Sequence, residues 1–138
     1  MERVTVSRQF EADPGTVRDA IADTAAFMRG AEFDTVEYDG DSLYIENRVG
    51  LFNIELELRV VSEADAALVY EQREGVFESM RTEYHVEGGD GGTTVTATTE
   101  YESLDLSVVG ELLDSSIVRR QRRKELASQF DWLAERVE

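Results

Sequence analysis

Apolar and polar residues alternate along much of the first hundred positions, which is the period of a half-buried strand. The clearest run is residues 52–60, where every second side chain from Phe52 to Val60 is apolar. Short turn signals such as Asp39-Gly40 and Gly88–Gly92 separate consecutive runs. The pattern therefore predicts a meander of antiparallel strands. The other predicted strands are residues 3–11, 35–38, 43–49, 68–74, 76–87 and 93–103.

Between the first two predicted strands, the residues favour two short helices. Asp13 is a good N-cap and Pro14 suits the first helical position, so a helix should begin here and end near Asp23. Thr24 can cap a second short helix, which Gly30 should end.

The last third of the chain, from Leu104 to Val137, predicts one long helix. At 100° per residue, three polar residues fall in the middle of its apolar stripe: Ser116, Arg120 and Arg123. We therefore expect a buried face that is apolar at both ends and polar at its centre, as suits a helix closing the mouth of a cavity. The apolar residues of the stripe are Val109, Leu112, Leu113, Ala127, Phe130, Leu133 and Ala134.

Arginines that face a sheet need acceptors, because an unpaired buried guanidinium is costly. Arg120 and Arg123 are expected to face the sheet, and Glu74 and Glu78 are the nearest inward-leaning carboxylates by strand phase. Two interpretations stay open for these arginines. They form a structural ion pair, or they bind a ligand carboxylate or phosphate. Arg122, in contrast, is expected to lie in solvent.

The order of predicted elements is that of an α+β protein. A strand and two short helices precede a curved antiparallel sheet of about six further strands, and a long helix packs across one face. Residues 10–23, FEADPGTVRDAIAD, resemble the strand end, Ala-x-Pro turn and first helix of the START-like superfamily (SRPBCC, or helix-grip, which includes polyketide cyclase-like proteins). The long carboxy-terminal helix is a second point of likeness. The resemblance covers the whole chain and implies a single domain, residues 1–138.

The resemblance also implies a cavity between the sheet and the long helix, used for lipids, isoprenoids, quinones or polyketides. The sequence itself is consistent with such a cavity, because the predicted inward faces combine apolar side chains with a few polar ones, as small-molecule sites require. For any one residue, the alternative is an ordinary polar side chain on a sheet face whose phase is shifted by one. The candidate ligand-binding residues are Asn47, Tyr70, Gln72, Glu74, Thr82, Tyr84, Thr99, Tyr101, Leu113, Ser116, Arg120 and Arg123.

Three functions are compatible with such a cavity. The first is binding or transport of a small hydrophobic ligand without a cofactor. The second is a polyketide cyclase or dehydratase-like enzyme that uses Tyr and Glu side chains in the same cavity, with Glu74 and Glu78 as a carboxylate pair. The third is a protein-interaction module with a filled cavity. Trp132 falls opposite the apolar stripe, where an exposed aromatic could anchor a partner or a homodimer.

Charge narrows the choice of partners. Thirty Asp and Glu stand against fourteen Lys and Arg, of which Lys124 is the one lysine, and the net charge is −16. An acidic surface this poor in lysine resembles that of proteins from salt-loving archaea. Self-repulsion at such a charge destabilises the compact state in dilute buffer and is screened at high salt. Nucleic acid is not expected as a partner, because a phosphate backbone binds a basic face.

Several chemistries are not expected from this sequence. It has no cysteine, and His85 is its one histidine, so neither a thiolate site nor a histidine metal site is predicted. The glycine-rich run Gly88–Gly92 is not followed by the Lys-Ser/Thr of a phosphate loop. The amino terminus lacks the apolar region of a signal peptide, and no apolar run approaches the ~20 residues of a membrane span. A cytoplasmic protein without an integral membrane segment is expected.

Overall fold

The computed structural model describes residues 1–102 and 115–138. In these ranges the elements follow the predicted order, and the α+β architecture is confirmed. The strands are β1 (Glu2–Phe10), β2 (Thr35–Asp39), β3 (Ser42–Val49), β4 (Phe52–Val60), β5 (Leu68–Glu74), β6 (Met80–Gly89) and β7 (Gly92–Tyr101). The helices are α1 (Pro14–Ala22), α2 (Thr24–Arg29) and α3 (Ser115–Val137). The predicted stripe residues Val109, Leu112 and Leu113 lie outside the described residues.

The strands form one antiparallel sheet in the order β1-β7-β6-β5-β4-β3-β2. The meander runs from β2 to β7, and β1 pairs with β7, with Glu2 opposite Tyr101. Helix α3 packs over this end of the sheet. An ion pair joins Arg8 Nη1 to Asp131 Oδ1 at 2.6 Å, and the Phe10 ring meets Phe130 edge-on at 5.9 Å.

Helix α1 begins as predicted, but Thr24 does not cap α2. Asp23 is the N-cap of α2, Thr24 is its first residue, and the Thr24 hydroxyl donates to the Ala22 carbonyl at 3.4 Å. The Asp13 carboxylate accepts a hydrogen bond from the Thr16 backbone N–H at 3.1 Å and another from its hydroxyl at 2.8 Å, which caps α1. These bonds favour the charged carboxylate and lower the pKa of Asp13, the Thr16 side chain having the largest effect. Helix α2 ends at Gly30, where α3 approaches so closely that an added Cβ would lie 2.8 Å from Cβ of Trp132.

The core lies between the three helices and the inner face of the sheet. The chain fills it with large side chains, several of them aromatic with a polar end. Because Tyr carries a hydroxyl, each buried Tyr brings a need for hydrogen bonding into the core. The largest fully buried side chains are Phe10, Ile21, Phe27, Met28, Leu43, Ile45, Leu58, Tyr70, Tyr84, Tyr101, Leu126 and Phe130.

A β-bulge corrects the predicted position of Glu74. Glu57 pairs with Glu74 and Leu58 with Gln72, so the register shifts by one residue between these two pairs. Opposite residues share a face, and a one-residue shift moves a side chain to the other face. Glu74 therefore lies exposed on the outer face, and Glu78 is exposed as well. The prediction that these carboxylates lean inward is wrong.

The phase of α3 also differs from the prediction. Ser116, Arg120, Arg123 and Ala127 are exposed, whereas Arg122 is buried. The buried stripe follows i, i+3 and i+4 spacing but contains three polar residues, so the apolar residues alone do not indicate which face is buried. Its buried residues are Val118, Arg122, Glu125, Leu126, Gln129, Phe130, Leu133 and Ala134.

Trp132 is not the exposed aromatic residue that the predicted helical phase indicates. It is half-buried, and its ring lies 6.0 Å from the ring of Phe27 on α2. The guanidinium of Arg136 covers it at 5.1 Å from the ring centroid. These contacts give Trp132 a place in the packing between α2 and α3.

Candidate functional site

A buried ion pair on the inner face of α3 is the centre of the candidate site. Arg122 and Glu125 stand one helical turn apart, and their side chains are 8% and 7% exposed. Arg122 Nη1 donates to Glu125 Oε1. The other carboxylate oxygen, Oε2, accepts from Asn47 Nδ2 and from Gln121 Nε2, each at 3.0 Å. The two charges cancel, and both oxygens of Glu125 are occupied.

The guanidinium of Arg122 is less completely satisfied than its partner. Nη2 makes long contacts with Tyr70 Oη at 3.4 Å and Thr82 Oγ1 at 3.3 Å. Nε is buried and meets no acceptor in the described part of the chain. Burial acts to lower the pKa of Arg122, but Tyr70 and Glu125 raise it by a larger amount, so the guanidinium stays charged.

Beneath the ion pair, hydroxyl and amide groups continue the polar network across the sheet. Tyr84 Oη donates to Gln129 Oε1 at 2.6 Å and lies 3.4 Å from Tyr70 Oη. Thr82 and Thr99, opposite each other on β6 and β7, bond through their hydroxyls at 2.9 Å. Burial raises the pKa of Tyr84 well above its usual value, so the phenol is neutral at physiological pH.

A cavity of about 50 Å³ lies beside the ion pair, between α3, β3, β4 and the β5–β6 connection. Most of its wall is apolar. One wall is polar and is formed by Asn47, Gln121, Arg122 and Glu125. The other lining residues are Phe33, Ile45, Val49, Ile54, Leu56, Val76, Phe77 and Val118, of which Phe33, Val49 and Ile54 are half-buried and mark the side nearest to solvent.

Five of the predicted ligand-binding residues belong to the ion pair and the network beneath it: Asn47, Tyr70, Thr82, Tyr84 and Thr99. Of these, Asn47 lines the cavity. Gln72 instead closes the β5–β6 connection, where its amide bonds both the carbonyl and the N–H of Phe77. Tyr101 packs against Phe77 at 5.1 Å between ring centroids. Its buried hydroxyl has no partner among the described residues, and burial raises its pKa.

The remaining predicted residues do not reach this cavity. Glu74 borders a hollow on the opposite face of the sheet. Ser116, Arg120 and Arg123 border a surface hollow at the amino-terminal half of α3, next to Arg119. Both interpretations of Arg120 and Arg123, the structural ion pair and the site for a ligand carboxylate or phosphate, required these side chains to be buried against the sheet. Both side chains are exposed, so neither interpretation is supported. Leu113 lies outside the described residues.

Four polar residues of α3 in the site were not predicted: Gln121, Arg122, Glu125 and Gln129. A signal for them is present in the sequence. Leu126, Phe130 and Leu133 define one helical stripe, and Arg122, Glu125 and Gln129 occupy the same face at i−4, i−1 and i+3 from Leu126. The helical phase that buries Leu126 and exposes Ala127 is the observed one.

No group of three or more His, Asp or Glu side chains is placed to hold a metal ion in residues 1–102 and 115–138. His85 is half-buried, with Nδ1 3.0 Å from the Asp65 carbonyl oxygen. Over the same residues, no helix has the length and apolar character needed to cross a membrane.

The chain has the START-like fold, in its helix-grip form, as the comparison with solved structures shows. A protein from Thermus thermophilus is 20% identical and superposes with a TM-score of 0.80, over 99% of this chain and 97% of the other. A START superfamily protein from Mycobacterium smegmatis gives 13% identity and a TM-score of 0.74, over 98% and 96%.

The third comparison is with an enzyme. The Zhui aromatase/cyclase from a Streptomyces species is 16% identical, with a TM-score of 0.72 over 99% of this chain and 96% of the other. No family model matches the sequence, and no curated protein does. At these identities the likeness establishes the fold, and the activity has to be argued from the site.

Proposed function

We propose that the chain binds a small, mainly apolar molecule in the cavity between α3 and the sheet. The observation that carries this proposal is the composition of the wall, which is apolar on most sides and polar where Asn47, Gln121, Arg122 and Glu125 meet. An apolar hollow with a few grouped polar atoms is the usual design of a small-molecule site. Membership of a fold that also contains START superfamily proteins agrees with it.

The volume indicates how much of the ligand is enclosed. A cavity of about 50 Å³ is smaller than the roughly 150 Å³ apolar cavity that accommodates benzene. Phe33, Val49 and Ile54 line the cavity and are themselves half-buried, so a ligand can extend past them toward solvent. The proposed ligand therefore places one end against the polar wall and the rest in the mouth formed by these three side chains.

Binding is favoured over the cyclase or dehydratase alternative by the state of Glu125. A general base needs a carboxylate oxygen free to accept a proton from the substrate. Both oxygens of Glu125, the carboxylate on the described cavity lining, already accept hydrogen bonds from Arg122, Asn47 and Gln121. This arrangement supports a structural and ligand-positioning role for the pair.

The proposal is tested with a neutral apolar dye, N-phenyl-1-naphthylamine, whose fluorescence rises on leaving water. The dye should bind the folded chain, and Ile54→Trp should weaken its binding at least about tenfold by filling the mouth. Val60→Trp is the matched control, because Val60 is half-buried on the same face of β4 but does not line the cavity.

Circular dichroism confirms that both variants fold before their affinities are compared. Equal dye affinity in the two variants, or absence of dye binding by the native chain, would contradict the proposal. The second result would favour an interaction module with a filled interior.

A further inference from the structure

The cavity beside α3 presents an almost wholly apolar surface, although polar side chains stand in one of its walls. Glu125 accepts hydrogen bonds from Asn47, Gln121 and Arg122, so these polar groups are directed at one another. Apolar side chains provide nearly all of the surface that an occupant touches. A polar group placed there would lose its hydration without gaining a partner, which is costly. The enclosed part of a ligand should therefore be hydrocarbon.

The volume of the cavity limits the shape of that hydrocarbon. A cavity of roughly 150 Å³ accommodates benzene, with its six carbon atoms. In proportion, the cavity of about 50 Å³ has room for about two carbon atoms. An unbranched alkyl chain presents its carbon atoms one after another, so its terminal carbons fit in the cavity while the others lie in the mouth. A ring has to bring all of its carbon atoms in together.

Phe77 is the side chain that closes the inner end of this space. It lines the cavity, and its ring also lies 5.1 Å from the ring of Tyr101, which is fully buried and is not among the described lining residues. Gln72 holds the backbone of Phe77, because its amide donates to the Phe77 carbonyl at 2.7 Å and accepts from the Phe77 N–H at 3.3 Å. A Cβ added at Gly75 would lie 2.6 Å from Cδ2 of Leu56, so the β5–β6 connection packs tightly against β4. The ring of Phe77 is thus a wall held from two sides.

We propose that the ligand enters this cavity with the end of an unbranched alkyl chain, and that Phe77, positioned by Gln72, excludes a ring from the same space. This inference rests on the proposed function and adds the shape and chemical class of the ligand to it. The chain end contacts Ile45, Leu56 and Val76, which line the cavity, and bulkier parts of the ligand stay in the mouth.

Three neutral hydroxyl compounds with six carbon atoms each test this inference on the full chain: 1-hexanol, cyclohexanol and phenol. Each is titrated while the methyl resonances of Ile45, Leu56 and Val76 are followed by ¹³C NMR, because these side chains line the enclosed space. 1-Hexanol should shift these resonances and bind at least about tenfold more tightly than either ring compound, as is usual where a hydrophobic pocket lacks room for a group.

Removing the wall should reverse the exclusion. Phe77→Ala should raise the affinity of phenol and cyclohexanol, read at the same methyl groups, by about tenfold and change that of 1-hexanol less. The hydrophobicity of each compound is the same for both chains, so the change in the affinity ratio reports the wall alone. Phe10→Ala is the matched control, because Phe10 is also buried but is not among the described lining residues, and it should leave the ratio unchanged. If Phe77→Ala does not fold, Phe77→Leu opens the wall less and should move the ratio in the same direction.

Gln72→Met tests the positioning of the wall. Methionine fills similar space but makes neither hydrogen bond to the Phe77 backbone, so the wall should loosen and the preference for 1-hexanol over phenol should fall. A loss of stability without any fall in this preference would assign Gln72 a purely structural role and overturn that part of the inference.

The outcomes distinguish this inference from the proposed function. Equal affinity of 1-hexanol and phenol for the enclosed space of the native chain would overturn the inference and leave the cavity as a site for apolar molecules. A preference for 1-hexanol that persists unchanged in Phe77→Ala would also overturn it, because hydrophobicity alone would then explain the preference. If none of the three compounds shifts these methyl resonances, the inference and the proposed function are both contradicted.

Discussion

Arg122 and Arg123 are neighbours in the chain but lie in opposite environments on α3. The side chain of Arg122 is 8% exposed and is paired with Glu125, whereas Arg123 is exposed. The paired charges of Arg122 and Glu125 form an interaction that is costly to break from one side only, because the remaining charge stays buried. The two positions therefore make a matched test of burial at the scale of single residues.

Arg122→Ala should lower the free energy of unfolding by about 3–5 kcal/mol, since it leaves Glu125 without its counter-ion in the interior. Arg123→Ala should change it by less than about 0.5 kcal/mol, as is usual for a surface position. Urea denaturation at neutral pH measures both. Similar losses in the two variants would mean that Arg122 is not buried against the sheet.

Tyr84 should make the fold sensitive to alkaline pH. Its pKa is raised by burial, so the folded chain keeps its proton at a pH where the unfolded chain, with a Tyr pKa near 10, has lost it. The resulting stabilisation is fully present below pH ~10 and is lost as the pH rises toward the folded pKa. Above pH ~10, Tyr84→Phe should therefore reduce the pH slope of the unfolding free energy by up to about 1.4 kcal/mol per pH unit.

Tyr38→Phe supplies the control for this experiment, because Tyr38 is exposed and the change removes one phenol without disturbing the core. Denaturation is followed at several pH values between 9 and 12, and phenol ionisation is read from ultraviolet absorbance. An unaltered slope in Tyr84→Phe would mean that other groups govern alkaline unfolding.

At the scale of elements, the contact between α2 and α3 depends on Gly30. An added Cβ would lie 2.8 Å from Cβ and 2.9 Å from Cγ of Trp132, closer than carbon atoms approach in folded proteins. Gly30→Ala should therefore destabilise the chain by about 1–3 kcal/mol through overpacking. The loss should be smaller in a Trp132→Ala background, because the clash is with that side chain.

Gly89→Ala is the matched control for this prediction. A Cβ at Gly89 would meet nothing within 4 Å, so its effect on stability should be small. Thermal denaturation of the single and double variants gives the coupling between Gly30 and Trp132. Additive losses would show that α2 and α3 can separate without cost.

The strands could be predicted from the sequence more completely than the site. Alternation from Phe52 to Val60 gives the bounds of β4 directly, because a half-buried strand requires that period. The bulge that turns Glu74 outward depends on the pairing of two strands, which alternation within one strand does not encode. Likewise, Arg122 and Glu125 are buried because each neutralises the charge of the other. A helical phase chosen by placing every charged residue on the surface puts both of them in solvent.

At the scale of the whole molecule, the net charge of −16 should determine how stability depends on salt. If the acidic surface is an adaptation to high salt, the melting temperature should rise by about 5 °C or more between dilute buffer and molar KCl. The Debye length falls from about 30 Å at 0.01 M to about 3 Å at 1 M, so repulsion between surface carboxylates is screened over this range. A melting temperature that stays flat over the series would refute the halophilic interpretation.

A variant with fewer outer-face carboxylates tests whether repulsion is the cause. Glu55, Glu57 and Glu74 border one hollow on the outer face of the sheet and are all exposed. Replacing the three with glutamine should raise the melting temperature in dilute buffer and reduce its dependence on KCl. Sucrose, which is neutral, should raise the melting temperature of both chains to a similar extent.

The pairing of β1 with β7 has a consequence for synthesis on the ribosome. Arg3 and its ion-pair partner Glu100 are 97 residues apart, and β1 has β7 as its neighbour in the sheet. At ordinary elongation rates, β1 waits about 5–20 s for its partner strand to be made. During that time its backbone donors and acceptors are open to other nascent chains. We expect the yield of folded protein to respond to elongation rate and to chaperones that bind early segments.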